Sequence, residues 1–173
     1  MADRSVERSG AGRLAALERA YLEHRDRLLT LAAALVGERA LAEDVVHDVF
    51  ANLASSTFDP SGNGTGAYLT VCARNAALSA LRSRKVASEH AGRLAVRRSP
   101  GGSDPVRAAE NAEEAAAALR LFAGLPEDER EALALRVWGG MTFEDIARLQ
   151  AVSKATAHAR CRAALAKLRS LMK

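Results

Sequence analysis

Residues 125–168 read LPEDEREALALRVWGGMTFEDIARLQAVSKATAHARCRAALAKL, and they divide into three helices with two short breaks. Leu125-Pro126 followed by Glu127, Asp128 and Glu129 is a helix start. Proline is tolerated in a first turn, and carboxylates there face the positive end of the helix dipole. Gly139-Gly140 ends that helix by permitting a left-handed backbone. Thr142 with Asp145 three residues on opens the next helix as a capping box, Asp standing where Glu or Gln is usual. Gln150-Ala151-Val152 is a turn, and Ser153 caps a last helix running toward Leu171. A short helix, a tight turn and a longer basic helix make a helix-turn-helix, whose second helix enters the DNA major groove. On that helix Ser153, Lys154, Thr156, Ala157, His158 and Arg160 occupy the N-terminal turns, where base edges are met. Arg162, Lys167 and Arg169 fall further along, where phosphates are met. Ala155, Ala159, Ala163 and Ala164 keep the helix slim, and Leu165 and Leu168 are expected to turn back to the core.

The whole chain of 173 residues is 49% hydrophobic and 27% charged, with only 4% aromatics. Ala and Leu dominate and β-branched runs are scarce, which favours an all-α fold. The formal charge of +4 is modest, but it is unevenly spread. From Lys154 to Lys173 no Asp or Glu opposes the cations, and from Arg74 to Arg98 only Glu89 does. Between Glu38 and Asp59 the balance is acidic. Blocks of alternating sign are either solvated helix faces or separate surfaces for separate partners. Cys72 and Cys161 lie far apart without metal-ligand spacing, and read as reduced, partly buried thiols. The first residues lack the apolar core of a signal peptide, and no run is long enough to span a bilayer. The expectation is a soluble, cytoplasmic protein without membrane insertion.

Before the helix-turn-helix, residues 1–12 read as a frayed polar tail. A helix follows from Arg13 to Val36, with Leu14, Leu17, Tyr21, Leu28, Leu31, Ala32 and Leu35 as its apolar stripe. A second covers about Arg39 to Ala54, burying Leu41, Val45, Val46, Val49, Phe50 and Leu53. Its other side carries Glu43, Asp44, His47 and Asp48. These share a face by helical spacing, and fit an acidic docking surface better than a metal or acid–base site, which would need ligands from another helix. Residues 55–66, with Pro60 and three glycines, form a loop. The helix from Ala67 to about Lys85 turns Leu69, Cys72, Ala76 and Leu81 inward. Tyr68, Arg74, Asn75, Arg82, Arg84 and Lys85 are left for water or a ligand. A basic face beside an aromatic and a flexible loop suits single-stranded DNA; equally, Tyr68 can pack in the core. Residues 86–105 read as an irregular linker centred on Pro-Gly-Gly, and Val106 to Gly124 as an Ala-rich helix. Two small helical domains, 13–86 and 106–173, on a flexible linker, 87–105, are expected. No nucleotide loop, nucleophile elbow or metal motif is present, so neither a catalytic residue nor a cofactor is expected.

With these residues laid out, the chain resembles a bacterial RNA polymerase sigma factor of the extracytoplasmic-function group, within the sigma-70 family. YLEHRDRLLTLAAALVGERALAEDVVHDVFANL and AYLTVCARNAALSALRSRK are similar to sigma region 2, and LPEDEREALALRVWGGMTFEDIARLQAVSKATAHARCRAALAKLR to region 4. The resemblance implies that the AEDVVHDVF helix docks on the clamp helices of the polymerase β′ subunit, with Asp44 and Asp48 facing that basic coiled coil. It implies that the loop and the Tyr68 helix open the −10 element and capture an extruded base. Region 4 would read the −35 element and meet the β flap, and an anti-sigma factor would be a further partner. His47 stands where Gln is usual, Ala67-Tyr68 for Thr-Trp, Ser79 for Asp, Gln150-Ala151 for Leu-Gly, and Ala157 and Cys161 for larger aliphatics. An Ala in a turn position wanting positive φ costs about 1 kcal/mol. Two other readings stand beside this one: a dimeric helix-turn-helix regulator, and a sigma-like decoy that binds protein but no longer reads DNA. Two separate DNA surfaces and an acidic docking face favour the sigma factor.

Overall fold

A computed structural model describes residues 3–90 and 105–171, and among these every regular element is an α-helix. They are α1 (Asp3–Val36), α2 (Arg39–Ser55), α3 (Thr65–His90), α4 (Pro105–Ala123), α5 (Glu127–Val137), α6 (Phe143–Leu149) and α7 (Lys154–Leu171). The first three pack as a bundle, α5–α7 form the helix-turn-helix unit, and α4 leads from one to the other.

Apolar spacing built the first bundle much as the stripe foretold. Leu28, Leu31, Ala32 and Leu35 of α1 meet Val45, Val46, Val49, Phe50 and Leu53 of α2 in a buried core. Each such Leu, Val or Phe side chain contributes about 1.5–3 kcal/mol on leaving water. Gly37, at φ +76, makes the sharp α1–α2 turn, and a Cβ there would touch Ala123 of α4 at 3.4 Å. From α3 come Leu69, Ala73 and Ala77, all fully buried, with Cys72, Ala76 and Leu81 half-buried. Ala73 and Ala77 are small enough to let α3 lie close on its neighbours, so the inner face falls one step from the expected one.

The N-terminal part of α1 departs from expectation twice. Residues 3–12 are helical rather than a tail. No proline interrupts this stretch. Leu14 is 66% exposed and Tyr21 38%, while Ala16 and Ala20 take the inner face. Small Ala16 and Ala20 bring this stretch of α1 close to its neighbours, Arg13 reaching the Leu53 carbonyl (3.0 Å) and Tyr21 meeting Phe50 edge-on at 5.0 Å, so the larger side chains of the stripe lie at the rim of the core.

Near the middle, α3 continues to His90, five residues beyond Lys85, because Val86–His90 holds neither glycine nor proline. The rest of the expected linker, residues 91–104, lies outside the described residues. Across it the two halves are not separate. Their buried core is continuous, reaching Ala132, Ala134, Leu135, Ile146, Ala147, Ala157 and Cys161. α1 packs directly on α4 and α5. Arg27 of α1 donates to the carbonyls of Trp138 (3.3 Å) and Gly139 (3.0 Å) after α5, and to that of Gly66 (3.1 Å) at the start of α3.

Candidate nucleic-acid interface

The helix-turn-helix is assembled as its sequence specified. Pro126 stands at the cap of α5 with Glu127, Asp128 and Glu129 in the first turn. At the break, Gly139 admits no side chain, since a Cβ would lie 2.4 Å from the Leu135 carbonyl oxygen, and Gly140 takes φ +65. Thr142 and Asp145 complete the capping box. The Asp145 amide donates to Thr142 Oγ1 (3.2 Å), and the Thr142 amide donates to the Asp145 carboxylate (3.2 Å). Hydrogen bonds from the Thr142 hydroxyl and amide hold the Asp145 carboxyl below its ordinary pKa of 3.8. Ala151 carries the turn at φ 52, so a non-glycine residue bears the left-handed strain foreseen there. Ser153 Oγ accepts from the Thr156 amide at 3.0 Å and caps α7.

Ala157, Cys161 and Ala164 make the buried stripe of α7, with Leu168 half-buried behind them. Ala157, read as a base-edge position, is therefore a core residue. Burial pushes the Cys161 thiol above its ordinary pKa. Leu165 is 43% exposed rather than turned inward, because the buried stripe runs through Ala157, Cys161 and Ala164, one position before it. The outer face presents Ser153, Lys154, Thr156, His158, Ala159, Arg162 and Arg169. His158 meets Phe143 edge-on at 5.0 Å, and Arg136 stacks over the same ring at 4.9 Å, which fixes the imidazole near the helix start. Arg160 is half-buried, bound to Gln150 Oε1 (3.0 Å) and Asp128 (2.9 Å). Lys154 pairs with Glu144, whose pKa that contact lowers, and Lys167 with Glu129 at 2.7 Å. The acidic start of α5 thus holds cations of α7, a role its dipole reading did not suggest.

In the first half, the loop before α3 is tightly made. Asp59 accepts from the Ser61 amide (2.9 Å) and hydroxyl (2.7 Å), which lowers its pKa, and buried Thr65 donates to the carbonyls of Pro60 and Gly62. These turns start α3 at Thr65, two residues before the expected Ala67. Tyr68 is 42% exposed and lies flat on Phe58, ring centroids 4.0 Å apart and planes 10° from parallel. It is neither a core residue nor a lone ring. A hydrogen bond to Cys72 raises the phenol pKa. Phe58 was missed because a single aromatic in a Gly/Ser/Pro loop has no periodicity to reveal it.

Asn75, Arg82, Arg84 and Lys85 line the outer side of α3, Arg84 tied to Glu38 at 2.5 Å. Arg74 is not free for solvent as expected. It is 17% exposed and paired with Glu131 of α5. On α2, Glu43, Asp44, His47 and Asp48 are all exposed while Val45, Val46 and Val49 between them are buried. Glu43 accepts from Arg39 at 3.0 Å, and a 310 Å³ cleft beside the face is lined by Tyr21, Arg25, Leu29, Glu43, Asp44, Val46 and His47. Among the described residues no helix is long and apolar enough to cross a membrane, and no cluster of His, Cys, Asp and Glu is placed to hold a metal.

Residues 20–86 match the family model of sigma-70 region 2, and residues 115–168 that of sigma-70 region 4. The chain belongs to the sigma-70 family. It is a sigma factor of the extracytoplasmic-function group: it binds core RNA polymerase and promoter DNA, and directs promoter recognition, melting and transcription initiation. It is 29% identical over 172 residues to the RNA polymerase sigma factor CarQ of Myxococcus xanthus, covering 96% of this sigma factor and 95% of that one. Its fold is similar to that of the sigma factor RpoE from Bartonella quintana, crystallised in complex with the anti-sigma factor NepR. The TM-score is 0.64 at 22% identity, over 90% of this chain and 95% of that one.

Proposed function

We propose that three surfaces of this sigma factor divide the work of initiation. The α2 face of Glu43, Asp44, His47 and Asp48 docks on the basic β′ clamp helices of core polymerase. Tyr68, seated on Phe58, with Asn75, Arg82, Arg84, Lys85 and a released Arg74, holds the single strand of the −10 element. Ser153, Lys154, Thr156, His158 and Arg160 of α7 read −35 bases, Arg162 binds phosphate, and the same half meets the β flap. The region 2 unit spans 13–86 and the region 4 unit 106–173. The factor makes and breaks no bonds itself, and works in the cytoplasm beside its polymerase. An anti-sigma factor is a fitting further partner, since the similar Bartonella protein was crystallised with one.

The α2 face carries the docking assignment. Asp44, His47 and Asp48 are exposed and have no partner among the described residues, while the opposite side of the same helix fills the core. Unpaired carboxylates at helical spacing, held on a rigid support, attract a basic helix and orient its approach. Substituting both Asp44→Arg and Asp48→Arg in the full chain tests this. The expected result is loss of core polymerase binding with duplex DNA affinity unchanged. Retained polymerase binding in a folded double variant refutes the docking assignment.

A further inference from the structure

Four cations of the two DNA surfaces are paired within their own half: Lys154 with Glu144, Arg160 with Asp128, Lys167 with Glu129, Arg84 with Glu38. Arg74 is different. Its partner Glu131 belongs to the other half of the chain, and the two side chains are only 17% and 9% exposed. Nε and Nη2 of Arg74 both lie 2.6 Å from the same Glu131 oxygen, and Nη2 lies 3.5 Å from the Leu149 carbonyl at the end of α6. Arg27 makes a second bridge from α1 to the carbonyls of Trp138 and Gly139.

A carboxylate held by a guanidinium presents the same acceptor chemistry as a phosphate oxygen. We infer that Glu131 stands in for a DNA phosphate at Arg74, and that this pair, with the Arg27 bridge, latches the two halves shut and keeps Arg74 from DNA. The inference rests on the assignment of Arg74 to the −10 surface. Span makes the latch consequential. The −10 and −35 elements are about 25 base pairs apart, roughly 85 Å at 3.4 Å per pair. A compact chain of this length has a radius of gyration near ~16 Å. The closed form cannot touch both elements, so the Arg74–Glu131 pair must break in a productive complex, and its release frees Arg74 for the melted strand.

The test uses the full chain. Glu131→Arg sets a second cation against Arg74, and Glu127→Arg on the same helix makes the same charge change on an exposed position away from the pair. X-ray scattering should show an expanded Glu131→Arg and a compact Glu127→Arg. Glu131→Arg should bind a short fluorescent single-stranded DNA of mixed sequence about tenfold more tightly than Glu127→Arg, the factor that ~1.4 kcal/mol gives. The swapped pair Arg74→Glu with Glu131→Arg should return to the compact form and lose that gain. Equal DNA affinity of the two single variants, or a compact Glu131→Arg, overturns the latch. If Glu131→Arg loses helicity, Glu131→Gln is compared with Glu127→Gln: a gain of about threefold supports the latch, and equality overturns it. Transcription by the wild-type chain with core polymerase is measured alongside, so a failed sigma assignment is seen separately from a failed latch.

Discussion

Phe58 lies flat beneath Tyr68, 4.0 Å between ring centroids, so one face of the tyrosine is covered and its exposed part is turned to solvent on a rigid support. Base stacking on an aromatic is worth about 1–3 kcal/mol per base, provided the ring is already in position. Tyr68→Ala is therefore expected to weaken binding of −10 single-stranded DNA about tenfold, and Phe58→Ala about threefold through loss of positioning. Fluorescence anisotropy on duplex −35 DNA should show neither change. An unaltered single-strand affinity in both variants would remove the stacking role.

The two kinds of contact assigned to α7 give separable results. His158, held by Phe143 near the helix start, is placed to meet a base edge, and Arg162 one turn on to meet a phosphate. His158→Ala should change which sequences are selected, with about 1–3 kcal/mol less discrimination at one position. Arg162→Ala should weaken all duplexes alike and lower the slope of log affinity against log salt by about 1. Selection from a randomised duplex pool, with a salt titration, distinguishes them. A uniform loss from both would mean that the recognition helix enters the groove in another orientation.

Acid should loosen the start of α6. Asp145 and Glu144 have folded pKa values below their ordinary 3.8 and 4.5, the first through hydrogen bonds from Thr142 and the second through Lys154. A depressed carboxyl pKa stabilises the fold above the unfolded value, and that contribution is lost as pH falls through the folded one. At pH 7 Thr142→Ala should cost about 1 kcal/mol. The stability gap to wild type, read by thermal unfolding, should narrow as pH falls below 3.8 and through the folded pKa of Asp145. A gap that stays constant with pH would mean that the capping box contributes no pH dependence.

The local chemistry of this chain was legible wherever backbone constraint is strong. Gly139-Gly140, Thr142 with Asp145, Ala151 and Ser153 each demand a particular φ or hydrogen bond, and each stands where the sequence placed it. The stripe of α1 was legible only where a neighbour covers it, which is why Leu28 is buried and Leu14 is not. Small residues misled in α3 and α7: Ala73, Ala77, Ala157 and Ala164 have little hydrophobic signal, yet they decide which face packs. Pairings between distant segments left no local trace. Glu131 reads as one more solvated carboxylate on α5, and Arg74 as one more cation on a basic run, until the fold brings them to 2.6 Å.

Run-off transcription is the most direct test of the central claim. Purified full-length chain is mixed with core RNA polymerase and a library of promoter fragments, and the transcripts are sequenced. The account predicts discrete start sites sharing two upstream elements about 25 base pairs apart, all lost with the Asp44→Arg and Asp48→Arg double substitution. No transcript from any fragment, together with binding to duplex DNA as a dimer, would contradict it.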